Sequence, residues 1–373
     1  MAAMADWPKR AEAVVVGGGI VGASTLHHLA AAGCRGAMLL ERDTLGSGST
    51  GAAAGGIRAQ FSDELNVRIA IESIKRFGRF ADEIGADIGF RQCGYLFLLG
   101  ADDVAGFQAA VDLQRSLGVP TRMLTPDQAA ELVPQLSLDG VAAATFGPVD
   151  GSADPGAAVQ GYVDAARRCG ASVFQGVTVH RVIQRRGRVV GVETSRGPIA
   201  TDRVVCAAGV WSGELAATAG VALPVRAERR YVFQTAGKDE LPAALPLTID
   251  FTTGFYLHRD RRRLLLGGPW ATAEELGPIA VACVPALSDL PIRFGWSGFY
   301  EMSPDHNAIV GQTADPAGFL YATGFSGHGF QQSPVVGRYL ADLALGRDPA
   351  FDLSPFSLDR FSTHALRAER NVV

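Results

Sequence analysis

The chain has 373 residues, a formal net charge of −4 and a pI near 6.0, so nothing in its overall charge pulls it toward nucleic acid or an anionic membrane. Its length exceeds what one core needs, and two domains are expected. Hydrophobic residues at 47% and charged residues at 19% suit an α/β protein with a large buried sheet.

The five cysteines (Cys34, Cys93, Cys169, Cys206, Cys283) are scattered, with no CxxC or Cys/His group. That pattern points to reduced thiols, a cytoplasmic location and no metal. The opening MAAMADWPKRAEAVVVGGG has no apolar stretch long enough for a signal peptide. No uninterrupted apolar run reaches the ~18 residues of a membrane span.

The first ordered stretch runs from Ala13 to Phe61. Val14, Val15 and Val16 form a strand that ends in glycines. A helix from Ile20 to Ala32 stops at Gly33, and a second strand, Ala37 to Leu40, ends in Glu41. The glycines fit G-x-G-x-x-G at Gly17, Gly19 and Gly22. Gly17 allows the sharp turn, Gly19 lets a diphosphate approach, and Gly22 packs the helix close to the sheet. The first helical N–H groups, at Ile20 and Val21, face the anion together with the positive end of the helix dipole. Glu41 lies about 20 residues further on, where an acid accepts from ribose hydroxyls. Arg42 beside it could instead meet a 2′-phosphate. The glycine pattern alone does not separate NAD from FAD.

A second small-residue stretch spans Gly46 to Gly56, with Ser49 and Thr50 inside it, and ends in Ile57-Arg58. Slack directly after a nucleotide-binding strand is unusual, so we assign it to cofactor contact. One helix is then expected from Asp63 to Gly85, and others over 102–117, 125–132 and 156–168. Strands are expected over 91–99, 141–146, 173–183 (which holds Val177), 189–194 and 199–205. The last of these feeds Cys206 to Ser212, a close-packed turn with Ala208, Gly209 and Trp211.

Residues 223–268 are strand-rich, with an exposed turn at Asp260-Arg261-Arg262. Residues 291–302 form a strand with aromatics on alternate positions, and short strands follow over 308–311 and 320–322. The loop from Gly324 to Phe330 precedes a last helix from Ser333 to Leu345. Nucleotide-type units at the start, middle and end imply an interleaved chain. Residues 1–85, 150–222 and 305–373 are expected to build a cofactor domain, and residues 86–149 and 223–304 a substrate domain.

Five motifs in order resemble the D-amino-acid oxidase-like family of FAD-dependent amine and amino-acid oxidoreductases, the group of glycine oxidase, sarcosine oxidase and dimethylglycine dehydrogenase. They are VVVGGGIVGAS with LLERD, GSGSTGAAAGGIR, VVCAAGVWS, YEMSPDHNAIVG and YATGFSGHGFQQSPVVG. The resemblance covers essentially the whole chain. It implies FAD, a glutathione-reductase-type Rossmann domain and a β-sheet-rich substrate part roofing the flavin. Two further glycine-rich turns, at Ala207–Gly209 and Gly324–Gly329, suit a large ring. The second would place Gly324, Gly327, His328, Gly329, Phe330 and Gln331 at the cofactor.

The resemblance also implies oxidation of an amino acid, an N-substituted glycine or similar secondary amine, by hydride transfer to flavin followed by imine hydrolysis. Arg58 matches the carboxylate-binding arginine of sarcosine oxidase. Tyr256 and Tyr300 match active-site tyrosines, and His328 lies in the flavin loop. Gln331 stands where sarcosine oxidase has a second, carboxylate-binding lysine. Arg226, Arg229, Arg230 or His258 could supply another anchor. The positions at which relatives carry flavin-attaching Cys and His fall on Gly298 and Ala52, so FAD is expected to be non-covalent. The lysine linked to oxygen activation falls near Leu265, and oxygen or another acceptor takes the electrons. Two other readings stand beside this one. GGIRAQFS also resembles a flavoprotein assembly factor of respiratory complex I, and the chain could be the catalytic subunit of a multi-subunit dehydrogenase. A homo-oligomer is equally compatible with the sequence.

Overall fold

The computed structural model describes residues 7–372. Residues 1–6, part of the segment read above for a leader, lie outside the described residues. A six-stranded sheet has the order Ile309–Gln312, Phe319–Thr323, Val204–Cys206, Ala13–Val16, Ala37–Leu40, Ser172–Phe174. All neighbours are parallel except the first pair. Side chains alternate across it, as the pleat requires. Ala13 and Val15 enter the core beneath the helices Ile20–Ala31, Pro155–Arg168 and Gly329–Ala344. Val14 and Val16 enter a second core, capped by the small sheet Val179–Arg185, Arg188–Thr194 and Ile199–Ala200.

The eight-stranded sheet runs Arg293–Met302, Arg226–Ala236, Arg263–Gly268, Phe255–Asp260, Leu247–Asp250, Tyr95–Leu99, Ala143–Gly147, Arg122–Leu124. Only Leu247–Asp250 and Tyr95–Leu99 are parallel neighbours. Leu96, Leu98, Leu257 and Leu266 point into a core that includes residues of the helices Pro126–Leu132 and Ala273–Cys283. Tyr95, Phe97 and Leu99, the alternate residues, point to the opposite face with Tyr256. This second face carries the candidate chemistry.

Four expectations change, one of them the run expected over 199–205, which divides between the small sheet (Ile199–Ala200) and the six-stranded sheet (Val204–Cys206). The helix expected over 63–85 is two, Glu64–Gly78 and Phe80–Ile84. The break at Arg79 lets Phe77 and Phe80, each 2% exposed, both enter the core. The run expected over 173–183 also splits. Ser172–Phe174 joins the large parallel sheet and Val179–Arg185 the small one.

The last helix begins at Gly329, four residues before the expected start, and carries Pro334 inside it. Proline has no N–H for the carbonyl of Phe330. The Ser333 hydroxyl donates to that carbonyl at 2.8 Å, which repairs the loss. The helix Ala273–Cys283 had no counterpart in the sequence reading, although its capping box, Thr272 with Glu275, is a local signal. Among the described residues no helix is long and apolar enough to cross a membrane.

Candidate active site

The strand Ala13–Val16 turns at Gly17, where φ is +111° and an added Cβ would lie 2.2 Å from the Ala207 carbonyl oxygen. A Cβ on Gly22 would lie 2.0 Å from the carbonyl oxygen of Gly17. Only glycine fits at either place. The helix that starts at Ile20 has no side-chain cap on Gly19 and no acid in its first turn. Its positive end is therefore left for an anion. The Ile20 N–H, expected to face the anion, instead donates to Thr50 Oγ1 at 3.1 Å, which draws the small-residue stretch onto the same site. Ser49 donates to the carbonyl of Phe299 at 2.6 Å and ties that stretch to the eight-stranded sheet.

Glu41 accepts from the N–H groups of Gly18 (2.6 Å) and Asp43 (2.7 Å), and its carbonyl accepts from the Val177 N–H at 2.9 Å. Arg42 pairs with Asp43 at 3.0 Å and stacks 3.7 Å from the Trp211 ring centroid. Its charge thus already has a partner. These residues line a cavity of ≈490 Å³, closed on the far side by Ala208, Gly209, Gly327, Gly329 and Phe330. The helix end with no acid in its first turn, the glycine cradle and Glu41 together fit FAD. Gly22, Gly324, His328 and Gln331 do not line this cavity. Gly324 packs on Ile309 and Ser303, and Gln331 Oε1 accepts from the backbone N–H of Arg58 at 2.8 Å.

Arg58 is 2% exposed. Its Nη1 donates to the carbonyl of Gln60, and its Nη2 to the carbonyl of Asn371 and to Nε2 of His328. Its guanidinium lies 4.2 Å from the Phe61 ring centroid and 5.5 Å from that of Phe97. No carboxylate lies within ion-pair distance of it among the described residues. Tyr95 and Tyr300 feel its charge, and Tyr256 lies next to both of them electrostatically. Burial pushes all three phenols up, the Arg58 charge pulls Tyr95 and Tyr300 back, and Tyr256 feels the other two. Tyr300 also lines the cofactor cavity and so joins the two regions. Burial, then Arg58, holds the His328 imidazole well below its usual range. It is neutral and accepts from Arg58.

The other candidate anchors are placed differently. Arg226 and Arg230 both pair with Glu228, and Arg230 lies 5.2 Å from the Tyr300 ring centroid. Arg229 stacks on Phe299 at 4.7 Å. His258 lines a separate cavity with Arg91, Arg261 and Trp296, which shares Thr50 and Ala53 with the first as a common wall. Gly298 and Ala52, drawn from separate motifs, meet: a Cβ on Gly298 would lie 2.4 Å from that of Ala52.

Two site residues were not singled out from the sequence. Tyr95 is 8% exposed on the same sheet face as Tyr256. Glu301 lines the cofactor cavity beside Tyr300, and burial pushes its carboxyl up to about 7. The one available signal was an acid inside the aromatic strand Phe299-Tyr300-Glu301.

A mostly parallel sheet with a helix starting at a glycine turn, beside a second sheet whose Phe299 and Tyr300 line the same cavity, defines a dinucleotide-dependent oxidoreductase. The chain belongs to the FAD dependent oxidoreductase family, which it matches over residues 12–343, and FAD is its cofactor. It is 32% identical over 381 residues to the 4-methylaminobutanoate oxidase (formaldehyde-forming) of Paenarthrobacter nicotinovorans. That match covers 96% of this chain but only 46% of the oxidase, so the chain spans just under half of that relative's length. The L-proline dehydrogenase of P. horikoshii superposes with a TM-score of 0.90 at 32% identity, covering 97% of this chain and 100% of that one. The glycine oxidase of Geobacillus kaustophilus gives 0.84 at 26% identity, covering 94% and 99%.

Proposed function

We propose that the chain oxidises the C–N bond of an amino acid, preferentially an N-substituted glycine or similar secondary amine acid. The observation that carries this is Arg58, a buried guanidinium with no carboxylate partner. A buried cation with no carboxylate in contact is costly, and the Asp150 carboxyl, which the Arg58 charge lowers, is engaged by Ala59 and Gln60 instead. A ligand carboxylate would complete the site, held by the Nε–H and the second Nη1 proton, which have no partner among the described residues. The names of these relatives, which concern an N-methylated amino acid, proline and glycine, support an amino-acid substrate.

In this reading FAD, when bound, supplies the hydride acceptor. Arg58 fixes the carboxylate, so the adjacent C–H is held in one orientation. Tyr300, shared between the cavity and the Arg58 cluster, and Tyr256 shape the space around the amine. The low-dielectric aromatic wall favours the neutral amine, from which hydride leaves; the imine product then hydrolyses in water. The test is anaerobic mixing of the holoprotein with N-alkyl glycines, proline and D- and L-amino acids, followed by flavin absorbance. Bleaching by a member of the panel supports the reading. Bound FAD that none of them reduces refutes it and favours a non-enzymatic role.

A further inference from the structure

Glu301 is a carboxyl that the proposed amine chemistry does not use. It sits in the cofactor cavity wall, enclosed by protein but with part of its surface open to the cavity. No cation lies within ion-pair distance of it among the described residues. Its partners are few. The hydroxyl of Thr323 lies 2.8 Å from Oε2, and the N–H of Gly324 also contributes.

The same Thr323 hydroxyl lies 3.0 Å from the carbonyl oxygen of Gly209, another wall residue. A hydroxyl has one proton to donate, and it cannot serve both acceptors at once. If Thr323 donates to Glu301, Oε2 accepts and needs no proton, as in the charged carboxylate, and the Gly209 carbonyl goes without. If Thr323 donates to Gly209, Glu301 must itself carry a proton and donate to Thr323 Oγ1. The trio therefore has two hydrogen-bonded states that differ by one proton on Glu301.

The groups facing it do not fix either state. Opposite Glu301 on the neighbouring strand is Ala227, flanked by Arg226 and Glu228, which pair with each other. Arg230 also pairs with Glu228. From Val204–Cys206 comes the Cys206 thiol, which burial pushes up to about 11 and which is neutral. Tyr300, next in sequence, is likewise pushed up by burial. Burial raises the carboxyl, the hydrogen bonds from Thr323 and Gly324 lower it, and the balance lies at about 7.

We propose that Glu301 is a redox-linked proton site: it takes up one proton when the cofactor in the cavity is reduced and releases it on reoxidation. Two electrons and one proton entering the ring leave one added negative charge in the cavity. That charge disfavours a carboxylate in the same wall. A second proton, from water, forms the O–H bond on Glu301, and Thr323 turns its own proton to Gly209. Reoxidation reverses each step. The inference needs FAD but not the proposed substrate.

The test is an anaerobic reductive titration of the holoprotein with dithionite and a reference dye between about pH 7 and pH 9, where an oxidised-state carboxylate is available for protonation. The pH dependence of the midpoint potential gives the protons taken up per electron pair. Native protein is expected to take up about two and Glu301→Gln about one. Equal counts overturn the proposal. If Glu301→Gln does not retain FAD, the reduced-minus-oxidised infrared spectrum of the native holoprotein decides. A protonated-carboxyl band should appear on reduction and shift in frequency in Thr323→Val. No such band, or one indifferent to Thr323, overturns it. Because the reductant is chemical, failure here is distinct from failure of the amine-oxidation reading.

Discussion

Arg58 donates through Nη2 to Nε2 of His328 at 3.0 Å, across 270 positions of sequence. A guanidinium has no lone pair to offer, so the imidazole must accept and carry its own proton on Nδ1. His328 also meets Phe61 edge-on, with centroids 5.0 Å apart. The histidine is thus a neutral prop for the arginine, held in place by an aromatic ring. His328→Phe should raise KM for a carboxylate substrate about 10-fold, with smaller effect on kcat and no new ionisation in the kcat profile between pH 5 and 8. Steady-state kinetics across that range checks this; loss of a titrating limb would instead make His328 an acid or base.

Arg58→Ala should raise KM by ~100-fold or more, the worth of charge-assisted hydrogen bonds to a carboxylate. FAD content should be unchanged, because Arg58 does not line the cofactor cavity. Unaltered kinetics would remove the anchor.

The carbonyl that holds Arg58 from the other side belongs to Asn371, and Glu369 holds that segment. Its carboxylate accepts from the Ser62 and Asp63 N–H groups, the Ser62 hydroxyl, Asn66 Nδ2 and the Asn371 N–H. Glu369→Ala leaves these donors unpaired and should cost about 3 kcal/mol, read from urea midpoints. KM should rise with it, since Arg58 loses one of its constraints.

His258 is 4% exposed, and its Nδ1 has no partner. Burial pushes its imidazole down to about 4. The folded state therefore resists protonation that the unfolded chain accepts from pH 6.5 downward. Its contribution to stability is whole at neutral pH and is lost as pH falls from 6.5 to 4, by roughly 3 kcal/mol. His258→Gln should flatten that acid loss. Urea midpoints at pH 7 and pH 4.5 measure it; identical slopes in the two proteins would contradict the assignment.

Gly298 and Ala52 offer no nucleophile and leave no room for one between them. Acid precipitation should leave all the flavin in the supernatant. Flavin retained in the pellet would show a covalent bond from another residue.

The nucleotide cradle was legible because its determinants are local: Gly17, Gly19, Gly22 and Glu41 fall within one strand-helix-strand unit. Arg58 was legible as an end point of the small-residue stretch, but its surroundings were not. His328 and Asn371 reach it from 270 and 313 residues away, through packing that no local pattern encodes. Tyr95 looked like any core aromatic until the sheet register put it on the face of Tyr256. The Ala273–Cys283 helix is the opposite case, since Thr272 and Glu275 mark its start locally and went unread. The break at Arg79 lets both Phe77 and Phe80 into the core, and periodicity alone does not place such a break.

The central claim, a carboxylate pinned by Arg58 beside oxidised FAD, is tested most directly by anaerobic stopped-flow reduction with a matched pair: an N-methyl amino acid and the same amine without its carboxyl group. The account predicts rapid, saturable bleaching by the acid and reduction at least ~100-fold less efficient by the bare amine. Equal reduction by both, or by neither the acid nor any other amino acid, would contradict it.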